Sequence, residues 1–385
     1  MGIKVRCLLV LFALFFLLGV SLPAKGAEKI KLGLVGPFTG GLAIPGADMK
    51  RGVQLAVDEI NVKGGINGRQ IELFTENDEG VPAKSVNATE KLVIKDEVLS
   101  VIGSYSSSCT LANMKVTEKY KVPQICPISV ATAITQSGNK FIFRNCATNP
   151  MQIGQLADYA IPAFKLKTVG VIYVNTDFGR GIRDVWAEKA AQYKIRLTAD
   201  IPISESDTDF FSYLTKIKGI NPDAFLVGAN ITQATQIVLQ ARELGLRSQI
   251  LGVGTFSDDE FWKLTKGKAQ GIVHISYFEP ESPDPRIRKF SKDFETKFNK
   301  VPGMFGAAVY EAVYIFEDAV KRAGTNFSDL KAWRLAVRDA MASTKGLPGV
   351  QGGPTSFAPD GQADKKVYIV KWNEGKRDIL YPSQK

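Results

Sequence analysis

Histidine is almost missing from this chain: His274 is the single one in 385 residues. Imidazole is the usual proton shuttle near neutrality and a common metal ligand, so one copy excludes most Ser–His and Cys–His catalytic schemes and most metal sites. The surrounding "VHISYF" is strand-like, which makes His274 a packed side chain rather than a base. Cysteine is scarce too. Cys7 lies at the start of a leading apolar run, and Cys109, Cys126 and Cys146 have no metal-ligand spacing. Those three permit one disulfide with a thiol left over, or three buried free thiols. Neither a G-x-x-x-x-G-K-[ST] loop nor a G-x-S-x-G elbow occurs, so phosphate-loop and hydrolase chemistry lack their motifs. Dense basic patches with interleaved aromatics are absent as well. "RIRKFSKDFETKFNK" mixes acids and bases as a solvated helix face does, which argues against nucleic acid. No enzyme, cofactor or metal is expected.

Long apolar runs are confined to one place. "MGIKVR" is followed by "CLLVLFALFFLLGV", 14 apolar residues, and then by the small, polar "SLPAKGA". The run is short for a membrane span and has the three-part layout of a secretory signal peptide over residues 1–27, cleaved near Gly26 or Ala27. No cysteine follows the run to take a lipid. Removing Lys4, Arg6 and Lys25 from the formal +10 leaves an exported chain at +7, mildly basic for its length.

What remains is regular. "KIKLGLVGPF" reads as a strand and turn, and "GADMKRGVQLAVDEINVKGG" as a helix with Val53, Ala56, Val57 and Ile60 on one face. "RQIELFTEND", "VLSVIGS", "VPQICP" and "KFIFRN" are strands alternating with helical stretches. After Cys146 the alternation starts again through "TVGVIYVNT", "RLTADIPIS", "DAFLVGA", "SQILGVGT" and "GIVHISYF". Three helices and two short strands, "GPTSFA" and "KKVYIVKWN", close the chain. Two such α/β series predict two doubly wound, parallel-rich sheets, with the ligand beyond the carboxyl ends of their strands in the cleft between them.

The stretch "GSYSSSCT" sits at that edge. Ser106, Ser107 and Ser108, next to Tyr105, open a helix whose first N–H groups lack partners, a setting suited to a carboxylate. Ser129 and Thr132 of "PISVATAIT" end the next strand. In the second half, "VNTDFGRG", "VGANI" and "GVGTFSDD" offer Asp177, Phe178, Asn230, Thr255 and Phe256. A Ser nucleophile would need a base, and none is near in sequence.

Taken together, "KIKLGLVGPFTGGLAIPGADMKRGVQLAVDEINVKGGINGRQIELFTENDEG", "VIGSYSSSCT", "YVNTDFGRG", "QILGVGTFSD" and "GPTSFAPDGQADKKVYIVKW" resemble the branched-chain amino-acid binding proteins of ABC importers. The resemblance implies a type I periplasmic binding fold: two Rossmann-like lobes joined by three crossovers, closing on a ligand like a hinge. It places lobe 1 at 28–146 plus 279–353 and lobe 2 at 147–278 plus 354–385. It also implies a monomer in the periplasm that delivers an apolar amino acid, or another small carboxylate or amide, to an ABC permease. A receptor ectodomain of the same fold would be followed by a membrane span, and none follows before Lys385. By the same resemblance Ser107 holds the ligand carboxylate and Phe178 takes the place of an aromatic lid. The acids that meet the ligand's ammonium fall on Asn149 and Gly254, and a threonine of the carboxylate loop falls on Val130. Unless Asp177 or Glu311 substitutes, a plain carboxylate is expected to bind at least as well as its α-amino counterpart.

Overall fold

The computed structural model describes residues 28–382. The leading apolar segment and its cleavage site lie outside them. The first sheet holds β1 (Ile30–Gly36), β2 (Ile71–Asn77), β3 (Ser100–Ile102), β4 (Gln124–Cys126) and β5 (Ile142–Arg144). Its spatial order is β2-β1-β3-β4-β5 and every pair is parallel. The second holds β6 (Thr168–Val174), β7 (Arg196–Ile203), β8 (Ala224–Gly228), β9 (Gln249–Gly252), β10 (Val273–Ser276), β11 (Tyr368–Asn373) and β12 (Lys376–Tyr381), in the order β12-β11-β10-β9-β8-β6-β7. Strands β6 to β10 run parallel, and β11 pairs antiparallel with β10 and β12. Helices cover both faces, which is why β6 "TVGVIYV" and β8 "AFLVG" are continuously apolar rather than alternating.

Three crossings join the sheets, at 145–148, 277–284 and 343–367. After the second, the Pro285–Phe298, Met304–Ala323 and Leu330–Ala342 helices return to the first sheet. There the Met304–Ala323 helix packs on the Ala43–Val62 helix. A methyl on Gly52 would overlap the Gly306 carbonyl, so the two backbones touch where only glycine fits. Among the described residues no helix is long and apolar enough to cross a membrane.

Two expectations at the C-terminus need correction. "GPTSFA" is not a strand. It makes only the isolated bridges Leu347↔Thr355 and Phe357↔Ala363, because this stretch serves as the third crossing. Conversely, "KRDILY" forms β12. Its charges hide a strand on the sheet's edge, where polar residues are tolerated. The signal lay in the turn: Glu374 and Gly375 both have positive φ, as a two-residue hairpin loop of this hand requires. Elsewhere, Cys109, Cys126 and Cys146 are free and buried. His274 is buried against Trp372, and burial lowers its pKa to about 3, so it is the neutral, packed side chain the sequence suggested.

A buried ion pair ties the third crossing to lobe 1. Lys365 Nζ meets Glu311 Oε1 at 2.5 Å and donates to the Gln351 and Gly353 carbonyls. Glu311 also accepts from the Val350 and Gln351 N–H groups and the Thr355 hydroxyl. Removing one partner strands the other charge. Lys365→Met is therefore expected to cost about 3–5 kcal/mol in urea unfolding, and the double variant with Glu311→Gln less than that. A loss under about 1 kcal/mol for the single variant contradicts this role.

Candidate functional site

The first sheet directs the Ser107–Lys119 helix at the cleft through a buried polar chain. Asp78, at the end of β2, is fully buried and accepts from the hydroxyls of Ser104 (2.5 Å) and Ser85 (3.0 Å) and from the Gly80 N–H. Ser104 N–H donates to Thr110 Oγ1 at 3.0 Å, and Thr110 Oγ1 meets Ser129 Oγ at 2.7 Å. Ser129 Oγ donates in turn to the Ser104 and Tyr105 carbonyls, each at 3.0 Å. On the other side Asn113 donates to Ser85 Oγ, and Gln124 donates to Asn113 Oδ1 and the Gly103 carbonyl. Buried polar atoms are costly when unpaired, and here each of these finds a partner, so the serine turn is rigid.

Above this turn lies a cavity with about 500 Å³ of space free of protein atoms, part of it open to solvent. From lobe 1 it is lined by Tyr105, Ser106, Ser107, Ile128, Ser129 and Val130, with Leu42, Met304 and Phe305. From beyond β5 come Gln152, Thr176, Phe178, Glu205, Asn230, Gly254, Thr255 and Tyr277. Ser107 Oγ accepts from the Ala131 N–H at 3.2 Å, which leaves its own proton to donate. Ser106 is the N-cap residue, and its side chain makes no capping hydrogen bond. These two hydroxyls and the unpaired N–H groups of the helix start form an anion-binding end without a formal positive charge. Ser129 also lines the cavity, but its proton is spent on the turn.

Of the eleven residues singled out in the sequence, seven line this cavity: Tyr105, Ser106, Ser107, Ser129, Phe178, Asn230 and Thr255. The other four do not. Ser108 donates to Asp177 Oδ2 at 2.6 Å, and Arg180 pairs with Asp177 Oδ1 at 3.0 Å, so both Ser108 and Asp177 are used in a contact between the lobes. Thr132 is half-buried just before the short Ala133–Gln136 helix, away from the cavity. Phe256 points into the lobe 2 core, 4.4 Å between centroids from Phe261, and its carbonyl accepts from Trp372. Asn149 is buried beneath Phe178, donating to its carbonyl at 3.4 Å, and Glu311 is held by Lys365. Two further contacts cross the cleft, Tyr105 Oη to Asn230 Oδ1 at 3.5 Å and Thr232 Oγ1 to the Gly41 carbonyl at 3.3 Å.

The sequence reading passed over Glu205. Among the described lining residues it is the one carboxylate, and no lysine or arginine accompanies it. Burial pushes its pKa above the ordinary range, opposed by a hydrogen bond from Asn230 Nδ2 at 3.3 Å. Its loop is pinned where Gln233 donates to the Glu205 carbonyl. Glu205 follows the carboxyl end of β7, so the strand-end rule that singled out the ends of β6 and β9 would have found it on this edge strand as well.

The comparisons with known proteins agree with this fold. Residues 29–377 match the family described as periplasmic binding protein. The Leu/Ile/Val-binding protein BraC3 of Rhizobium johnstonii is 28% identical over 348 residues, covering 90% of this chain and 92% of that one. The branched-chain amino-acid transporter binding protein LivJ of Streptococcus pneumoniae, solved with isoleucine, superposes with a TM-score of 0.84 at 31% identity, over 92% of this chain and all of that one. A solute-binding protein of R. palustris solved with benzoate has the same fold, with a TM-score of 0.85 at 23% identity over 91% and 95% of the two chains. A cleft between two parallel-rich sheets and a match along nearly the whole described length lead to one conclusion: the chain belongs to the periplasmic binding protein family of ABC importers.

Proposed function

We propose that the chain is the exported, periplasmic capture subunit of an ABC importer and that its ligand is a zwitterion, an apolar or branched-chain α-amino acid. The observation that carries this reading is the charge layout of the cavity. One end offers hydroxyl and helix N–H donors, the other a single carboxylate, and apolar side chains lie between. The ligand carboxylate takes the Ser106–Ser107 end, and the ammonium takes Glu205 with Asn230. Leu42, Ile128, Phe178 and Phe305 receive the side chain. Lobe 1 (28–146 plus 279–353) and lobe 2 (147–278 plus 354–385) close on it as a hinge, and the closed form docks on the permease. A ligand that touches both lobes is required, since one with equal affinity for both forms shifts nothing.

Glu205 reverses the expectation for plain carboxylates. A ligand with only a negative charge brings it into the same partly dry space as Glu205, whereas a zwitterion pairs with both ends. Leucine is expected to bind about 10- to 150-fold more tightly than 4-methylpentanoate in titration calorimetry, the worth of about 1.5–3 kcal/mol for a hydrogen bond to a charged group. In Glu205→Gln that preference is expected to collapse. Equal binding of both compounds by the unaltered protein sinks the zwitterion reading. Tighter binding of benzoate than of leucine would instead point to an aromatic acid, as in the R. palustris relative.

Ser107→Ala is expected to weaken leucine binding about 10- to 150-fold by the same magnitude, while thermal unfolding moves by only a few degrees. Unchanged affinity removes Ser107 from the carboxylate end.

A further inference from the structure

Beside the cavity, where the lobes meet at Gly303, two carboxyl groups from opposite lobes face each other. Asp48 lies on the Ala43–Val62 helix of lobe 1 and is buried. Its Oδ2 accepts from the Gly306 N–H at 2.6 Å, at the start of the Met304–Ala323 helix. Asp258 caps the Asp259–Leu264 helix of lobe 2, its Oδ1 accepting from the Glu260 N–H at 2.8 Å. A Cβ on Gly303 would stand 2.7 Å from Asp48 Oδ2 and 3.1 Å from Asp258 Oδ2, so both oxygens converge on one point.

Arg51, Lys263 and Lys300 line the same groove as Asp48 and Asp258, and none of them forms an ion pair with either. Arg51, one turn along the Asp48 helix, acts on Asp48 without a hydrogen bond to it. Arg377 on β12 is bound to Glu279 and Asp259. Lys300, just before the Met304–Ala323 helix, pairs with Glu260, and Lys263 lines the same groove. Among the described residues neither Asp48 nor Asp258 has an ion-pair partner within 4.0 Å.

We propose that Asp48 and Asp258 form a pH-sensitive latch, in which the closed form holds one proton between the two carboxyl groups and opening of the lobes separates them. Two carboxylates whose oxygens converge beside the Gly303 backbone, one buried and one half-buried, do not both ionise readily. Burial first, and the Asp258 charge second, push Asp48 up to about 7, against the pull of the Gly306 and Gly303 N–H groups and of Arg51. Burial also raises Asp258, against its Glu260 N–H cap. Opening hydrates Asp48 and returns it toward the ordinary carboxyl value of about 4. The proton therefore binds the closed form more tightly. Between about pH 7 and pH 4 each unit of acidification multiplies the closed-to-open ratio about tenfold; above pH 7 the pair ionises and favours opening.

Glu205 is raised in the same direction when the cleft is empty, so the test uses a Glu205→Gln background and no ligand. Spin labels, one per lobe, report the interlobe distance at pH 8 and pH 5. The closed-to-open ratio is expected to rise by up to about 100-fold on acidification in that background, to stay within about twofold once Asp48→Asn is added, and to rise clearly less than in the background with Asp258→Asn, which removes the facing charge but leaves Asp48 buried. Asparagine keeps the oxygen that accepts from Gly306 or Glu260, so both variants retain their helix caps. No pH response in the background, or the same response in both variants, overturns the latch. Because no ligand is present, the outcome is independent of which solute the cavity takes.

Discussion

Everything at the cleft depends on the buried carboxylate of Asp78. It has no basic partner among the hydrogen bonds it accepts, only the Ser85 and Ser104 hydroxyls and the Gly80 N–H. Through Ser104 and Thr110 it fixes the turn after β3, and through Ser129 it fixes the turn after β4. A buried carboxylate deprived of these donors would be several kcal/mol too costly, so the network forms as a whole or not at all. The consequence is functional. The helix start is held still, and its unpaired N–H groups face the cavity rather than a partner within the fold.

The remaining polar atoms near the cleft divide by what they have left to give. Ser129 and Thr255 have spent their protons on carbonyls of the protein, and Ser108 has spent its own on the Asp177 carboxylate across the lobes. Ser107 keeps a proton because it is an acceptor from Ala131, and the Ser106 oxygen accepts no capping bond from the helix start. Glu205 keeps three quarters of its acceptor capacity, since Asn230 is its one side-chain donor. A site is thus defined less by which polar residues are near than by which are unspent, and that accounting isolates one donor end and one acceptor end.

Much of this was legible in the sequence, for a physical reason. The alternation of apolar strands with helices of period 3.6 fixes two parallel-rich sheets, and such sheets bind at the carboxyl ends of their strands. Ser107 and Phe178 followed from that rule. Phe256 failed it because a residue past a strand end can turn inward as easily as outward; here Gly252 leaves room for the ring to fold back against β9, toward Phe261. Asp177 failed because its position in the cleft was right but its partner, Ser108, was another candidate. Glu205 was missed because β7 is an edge strand with a mixed burial pattern, so its end drew no attention. The role of Glu311 was invisible, since Lys365 lies 54 residues away and only the third crossing brings the two together.

The account stands on a cavity with a neutral donor end and a single anionic end. A crystal structure of the protein with leucine tests it most directly. The account predicts a leucine carboxylate within hydrogen-bond distance of Ser107 and the start of its helix, the ammonium on Glu205, and the isobutyl group among Leu42, Ile128, Phe178 and Phe305. Leucine bound with its ammonium away from Glu205, or a cavity empty at saturating leucine, would contradict it.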